Sequence, residues 1–133
     1  MQKKSALTLF WAPVLYSLMG AGALWAQPAS DAATVAKGKR LFMRCAACHD
    51  GMQVTPGKTG PSLKGVVGRP AGSLAGYGYS ADMKTKSFVW DDAQLDAWLI
   101  KPTALVPGTT MAFIGMPDAA ERKATIAFLR SLK

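Results

Sequence analysis

Cysteine and histidine are scarce in this sequence: the 133 residues include two cysteines and one histidine, all within one run of five. A zinc site takes four ligands, and Cys45, Cys48 and His49 supply three, with no second pair elsewhere in the chain. A thiol–disulfide oxidoreductase uses the same cysteine spacing within a βαβ unit, but no strand pattern precedes this run. A disulfide would close too short a loop to constrain much of the unfolded chain. These observations argue against a zinc site, a thiol–disulfide oxidoreductase and a structural disulfide.

The run itself, Cys45-Ala46-Ala47-Cys48-His49, is called the cysteine motif below, and its spacing is that of a c-type haem attachment site. Two thiols three residues apart can add to the two vinyl groups along one edge of a porphyrin. The imidazole that follows directly would then lie under the iron, where histidine is a common proximal ligand. The sequence therefore predicts one covalently bound haem c, attached to Cys45 and Cys48 and ligated by His49.

Charge is missing from the start of the chain after a short basic head. Residues 5–26 contain no charged side chain. This pattern is typical of a secretory signal peptide, with cleavage expected after Ala26 or after Ala23. The uncharged run is also long enough to span a bilayer, so an uncleaved membrane anchor is the alternative. In either case we expect residues 1–26 to direct the rest of the chain to the periplasm.

Acidic residues are half as frequent as basic ones. Without Lys3 and Lys4, two of the 16 basic residues, the predicted domain 27–133 keeps 14 basic and all 8 acidic side chains, a net charge of +6. That length suits one small domain. No basic stretch with interleaved aromatic residues indicates nucleic-acid binding. The positive charge instead bears on how the protein associates with its partners.

Capping residues and apolar spacing predict three main helices. The first would be capped by Ser30 or Asp31 and run toward Arg44. Gly38 lies inside it, where glycine costs roughly 1 kcal/mol relative to alanine, so we expect a close helix crossing there. The apolar side of this helix would consist of Val35, Leu41 and Phe42.

The other two helices each begin with a capping box. Asp91 and Gln94 form the first box, and that helix should stop before Pro102. Asp118 and Glu121 form the second. The two buried faces would consist of Leu95, Trp98 and Leu99, and of Ile126, Phe128 and Leu129. Residues 50–86 and 106–113 are too rich in glycine and proline, or too irregular, for regular structure, so we expect loops there.

Taken together, these features resemble a class I cytochrome c, of the compact kind that bacteria share with mitochondria. The likeness covers nearly the whole predicted domain. The cysteine motif alone is compatible with many folds, but the set of matching segments in this order is specific. The matching segments are Gly38-Lys39-Arg40-Leu41-Phe42, the cysteine motif, Thr59-Gly60-Pro61-Ser62-Leu63, Gly65, Gly68-Arg69, Tyr79-Ser80, Trp90, Pro107-Gly108-Thr109-Thr110-Met111, Phe113 and the helix from Arg122 to Leu132.

The resemblance implies an all-α cytochrome c fold, in which three main helices and Gly/Pro-rich loops wrap around one covalently attached haem. It implies Met111 as the distal iron ligand, with Met116 in the same region as the rival. It also places Pro61 where its carbonyl would accept the second ring N–H of His49. The side chains implied around a haem propionate are Arg69, Tyr79, Trp90 and Thr109.

This sequence departs from the family pattern in two ways. Trp98 stands where many relatives carry a tyrosine near the methionine sulfur, and an indole can donate a hydrogen bond but cannot accept one. Several lysines that ring the exposed haem edge in mitochondrial relatives are here Thr103, Thr110, Pro117 and Asp118. Basic residues that remain nearby are Arg44, Lys58, Lys64 and Lys101. The docking surface is therefore expected to be less basic, and its partner need not be strongly acidic.

The function that the resemblance implies is one-electron transfer rather than catalysis. A haem enzyme or a ligand sensor needs an open iron position and usually polar distal groups. This chain has no second histidine for acid–base work, and Met111 would close the site. The expected partners are membrane redox complexes or periplasmic oxidoreductases that dock at the exposed haem edge of a monomer. Membrane contact is expected only through an uncleaved N-terminal segment.

Overall fold

The computed structural model describes residues 29–52 and 56–133. The predicted export segment, residues 1–26, lies outside this part of the chain. Within the described residues, no helix combines the length and the hydrophobicity needed to cross a membrane.

Five helices form the regular structure of the described residues. In chain order they are α1 (Ala29–Phe42), α2 (Ala81–Lys84), α3 (Asp92–Ile100), α4 (Pro102–Leu105) and α5 (Ala119–Ser131). In the same part of the chain, the β pairing is an isolated bridge between Pro70 and Val89. The all-α class and the three main helices, which are α1, α3 and α5, are confirmed.

The two one-turn helices are not predicted by the sequence. The first, α2, lies inside a segment expected to be loop, and the Ser80 hydroxyl caps it by accepting a hydrogen bond from the Met83 N–H at 3.3 Å. The second, α4, begins at Pro102. Proline disfavours continuation of α3, but it suits the first position of a new helix, where its missing N–H is not needed. Four residues are too few to show a helical repeat, so apolar spacing could not reveal either turn.

The boundaries of α1 differ from the prediction. The helix already includes Ser30 and Asp31, so the expectation that one of them is the N-cap was wrong. Asp31 instead lies in the first turn, where a carboxylate interacts favourably with the helix dipole. The helix ends at Phe42, before it reaches Arg44. From there the chain enters the turns that carry the cysteine motif.

α1 crosses α5 at Gly38, as the sequence predicts. A Cβ atom at position 38 would overlap the Ala124 carbonyl oxygen and the Phe128 Cβ atom, so a larger residue requires the helices to move. Beside the crossing, the rings of Phe42 and Phe128 pack with their centroids 5.1 Å apart. The crossing positions the end of α1, and therefore the cysteine motif that follows it.

The predicted N-caps of α3 and α5 form, but in the described residues neither capping box has its reciprocal side-chain bond. The Asp91 carboxylate accepts a hydrogen bond from the Gln94 N–H at 2.8 Å, and the Asp118 carboxylate accepts one from the Glu121 N–H at 2.7 Å. The reciprocal bond from Gln94 was expected and is not formed. The Asp91 N–H donates instead to the Val89 carbonyl at 2.8 Å, and the buried Gln94 Oε1 has no partner among the described residues.

The buried faces of α3 and α5 are those that the apolar spacing predicts. The three α3 side chains are at most 9% exposed, and the three from α5 are at most 7% exposed. Loop residues complete the same cluster. The cluster includes Val66, Trp90, Leu95, Trp98, Leu99, Val106, Ile126, Phe128 and Leu129. The core therefore lies between the helices and the long loops, and several of its members also face the cavity described next.

Candidate haem-binding site

A cavity of about 300 Å³ lies beside the core. This volume is at the lower end of the range for small-molecule and cofactor sites. Loops and helices both contribute to its walls, which are mostly apolar. The apolar lining includes Leu63, Val66, Met83, Leu95, Leu99 and Leu129.

Cys45, Cys48 and His49 lie together on this cavity. The turn that carries them is closed by a hydrogen bond from the His49 N–H to the Cys45 carbonyl at 2.9 Å. Lys58 Nζ donates to the Ala46 carbonyl at 2.5 Å, so the next loop also holds this turn. Both thiols are free. One short turn thus presents two unpaired thiols and an imidazole to the same cavity.

The two thiols differ in their surroundings. Cys48 is exposed, whereas Cys45 is partly buried. Burial raises the pKa of the Cys45 thiol, and the positive charge of Arg44 opposes that change.

The ring of His49 is held in one orientation and one tautomer. Its Nδ1 lies 2.8 Å from the Pro61 carbonyl oxygen. A carbonyl oxygen can only accept a hydrogen bond, so Nδ1 carries a proton, and in the neutral ring the lone pair is then on Nε2. The Gly60 backbone packs so closely against the ring that a Cβ atom at this position would overlap it. The imidazole is therefore oriented by its loop, with Nε2 available as a metal ligand.

The two rival methionines have different surroundings. Met111 lines the cavity, and Met116 is absent from the described residues that line it. Met116 is 3% exposed, and its Sδ accepts a hydrogen bond from the buried Thr125 hydroxyl at 3.8 Å. Its N–H donates to the Leu99 carbonyl at 2.7 Å. Met116 is thus part of the packing between α3 and α5, while Met111 lies on the cavity wall.

The side chains expected around a haem propionate all line the cavity, namely Arg69, Tyr79, Trp90 and Thr109. The Arg69 guanidinium donates to the Ser62 carbonyl at 2.8 Å, so its loop holds it in place. Burial raises the pKa of the Tyr79 hydroxyl, with the Arg69 charge opposing the change, so this group is a neutral donor at neutral pH. The Thr109 hydroxyl accepts a hydrogen bond from the Met111 N–H at 3.2 Å.

Trp98 lines the cavity and is 9% exposed. Its indole meets Trp90 edge-on, with ring centroids 5.3 Å apart and planes at 69°. No hydrogen bond joins Trp98 to the Met111 sulfur among the described residues, so a donor role for the indole stays a prediction.

Two further cavity residues, Tyr77 and Met83, were not identified from the sequence. The Tyr77 hydroxyl donates to the Thr59 carbonyl at 2.8 Å, and its ring meets Tyr79 with centroids 4.7 Å apart. It therefore joins two loops of the wall. In the sequence, the one indication of this role is that Tyr77 lies two residues before Tyr79, which was predicted to be at the site. Met83 belongs to the one-turn helix α2, whose orientation no sequence pattern indicates.

The residues on the cavity fit a c-type haem. Two free thiols on one turn suit attachment at two points, and an imidazole nitrogen and a thioether are iron ligands in this class of site. The apolar walls suit a porphyrin ring, and the hydrogen-bond donors of the Arg69 and Tyr79 side chains suit its carboxylates. In residues 29–52 and 56–133, no group of three or more His, Cys, Asp or Glu side chains is arranged to hold a bare metal ion.

Comparison with known proteins identifies the family of this chain. The family model for cytochrome c matches residues 35–133. Cytochrome c2 from Rhodomicrobium vannielii is 41% identical over 114 residues, which cover 85% of this chain and 90% of that protein. The c-type cytochrome cyt cy from Rhodobacter capsulatus is 40% identical over 108 residues, which cover 79% of this chain and 52% of that protein. Among solved structures, cytochrome cH from Methylobacterium extorquens superposes with a TM-score of 0.67 at 40% identity, covering 73% of this chain and 97% of that one.

The chain therefore belongs to the cytochrome c family. It has the cytochrome c fold, carries a covalently bound haem c and transfers electrons to and from redox partners, and it is not an enzyme. The predicted fold class, cofactor and general function are confirmed.

Proposed function

We propose that this protein is a free or membrane-tethered periplasmic electron carrier whose iron ligands are His49 and Met111. When bound, the haem supplies a one-electron iron couple, and a histidine–methionine ligand pair raises its reduction potential. One observation carries this choice of ligands. Met111 shares the cavity with the cysteine motif, whereas the Met116 sulfur accepts a hydrogen bond from Thr125 in the core.

The residues of the cysteine motif, together with Pro61 and Met111, each hold the cofactor in a different way. Cys45 and Cys48 form the two thioether bonds. Pro61 keeps the His49 ring in place through the 2.8 Å bond to Nδ1, which also makes Nε2 a stronger ligand. Met111 would hold the iron through its thioether sulfur and would exclude small ligands. This arrangement favours a carrier over a peroxidase or a ligand sensor, both of which need an open position.

The polar side of the cavity holds the propionates. A carboxylate removed from water requires hydrogen-bond donors or an opposite charge. Arg69, Tyr79, Trp90 and Thr109 supply both, since all four line the cavity and Tyr79 remains protonated at neutral pH. Trp98 completes the surroundings of the methionine ligand.

The partners are membrane redox complexes of respiration or photosynthesis, or periplasmic oxidoreductases, which would dock at the exposed edge of the haem. Residues 1–26 export the domain 27–133 and either are removed or anchor it, and the carrier acts as a monomer. The docking charge is modest, because Arg44 pairs with Glu121 at 3.4 Å. Arg44 therefore offers less free positive charge to a partner.

Paired methionine variants test the ligand assignment. Met111→Ala should abolish the methionine–iron charge-transfer band, open the iron to cyanide and lower the midpoint potential. Met116→Ala should keep the band and the potential. It should instead lower the free energy of unfolding by about 2–5 kcal/mol, because it leaves a cavity in the core. The reverse pattern would assign the ligand to Met116, and a high-spin wild-type spectrum would favour an enzyme or a sensor.

A further inference from the structure

Arg122 is a buried cation whose side chain donates three hydrogen bonds. It lies on α5 and its side chain is 10% exposed. Its Nε donates to the Asp96 carboxylate of α3 at 2.7 Å. One of its terminal nitrogens donates to the Met116 carbonyl at 3.0 Å and to the Pro117 carbonyl at 2.7 Å. Arg122 thus joins two helices to the segment between Met111 and α5.

This segment is attached to the rest of the protein at its two ends. Before Met111, the Gly108 N–H donates to the Asp82 carboxylate at 2.8 Å. After it, the Met116 N–H donates to the Leu99 carbonyl and the Met116 carbonyl accepts from Arg122. Between these two attachments the chain is irregular, and the hydrogen bonds of Met111 are local ones to Thr109 and Phe113. Met111 and Phe113 also pack against the core, so the end attachments act together with this packing to position the methionine.

The attachment by Arg122 depends in turn on Asp96. A buried guanidinium needs a negative partner, and removing that partner leaves an uncompensated charge beside two carbonyl dipoles. We propose that Arg122 and Asp96 are positioning residues that keep Met111 directed into the cavity, an inference that rests on the proposed role of Met111 as iron ligand. Loss of the pair should free the segment and let an external ligand replace the methionine more easily.

The test is a titration of the ferric holoprotein with imidazole, which competes with Met111 for the iron. Asp96→Asn keeps the size of the side chain and removes its charge, and it should tighten imidazole binding by about tenfold, the effect of losing one charge-assisted hydrogen bond. Asp92→Asn is the matched control, because Asp92 pairs with Arg130 and joins the same two helices at an exposed site. Its effect should stay within about twofold.

A second pair of variants separates positioning from general stability. Arg122→Lys keeps the charge but cannot form all three bonds, so it should also tighten imidazole binding. Ala36→Gly weakens α1 at an exposed position away from the segment and should lower stability without changing imidazole affinity. If Asp96→Asn and Arg122→Lys lower only the unfolding midpoint, the positioning role is refuted. Met111→Ala distinguishes this result from failure of the ligand assignment: if it binds imidazole no more tightly than the wild type, the assignment itself has failed.

Discussion

Replacing Gly38 with alanine tests whether α1 and α5 approach each other as closely as the structure shows. In an isolated or exposed helix this change would add about 1 kcal/mol of stability, because glycine is the poorer helix former. Here the new Cβ atom would overlap the Ala124 carbonyl oxygen and the Phe128 Cβ atom. Overpacking of a core typically costs about 1–3 kcal/mol, and a backbone atom cannot rotate away as a side chain can. The two effects oppose each other, and we expect a net loss of up to about 2 kcal/mol.

Guanidinium unfolding of the ferric holoprotein, followed by far-UV circular dichroism, measures this loss. Ala36→Gly is the matched control, since Ala36 is exposed on the same helix and should show only the propensity cost of about 1 kcal/mol. A gain in stability for Gly38→Ala would show that the two helices do not approach as closely as described, and the reasoning from the crossing would fail.

Two further predictions concern the cofactor and its surroundings. Cys45→Ala or Cys48→Ala should leave at most one thioether bond, and His49→Ala should abolish stable holoprotein; free release of the wild-type haem into acidified organic solvent would contradict covalent attachment. Trp98→Phe should keep a low-spin haem and lower the midpoint potential if the indole donates to the Met111 sulfur, and Trp98→Tyr should partly restore it. Should Trp98→Phe change only stability, by about 0.5–1.5 kcal/mol for the lost edge-on contact with Trp90, the residue is packing alone.

The sequence alone was sufficient for features that depend on short-range spacing. Two thiols three residues apart and an adjacent histidine indicate a covalent haem without any knowledge of the fold, because the porphyrin must reach all three from one turn. The caps at Asp91 and Asp118 and the apolar repeats of α3 and α5 are equally local, and the structure confirms them. The close helix crossing at Gly38 could also be predicted, since a glycine inside a helix usually has a packing reason.

Features set by contacts between distant segments were decided only by the tertiary structure. Met111 and Met116 are five residues apart in the same irregular stretch, and only the tertiary structure places Met111 on the cavity wall and the Met116 sulfur against Thr125. The unpaired Gln94 oxygen and the short helix α2 were likewise outside local patterns. The role proposed for Arg122 depends on Asp96, 26 positions away, and on two carbonyls of the methionine segment. A single arginine in a helical repeat reads as a surface charge, and only the fold shows that it is buried.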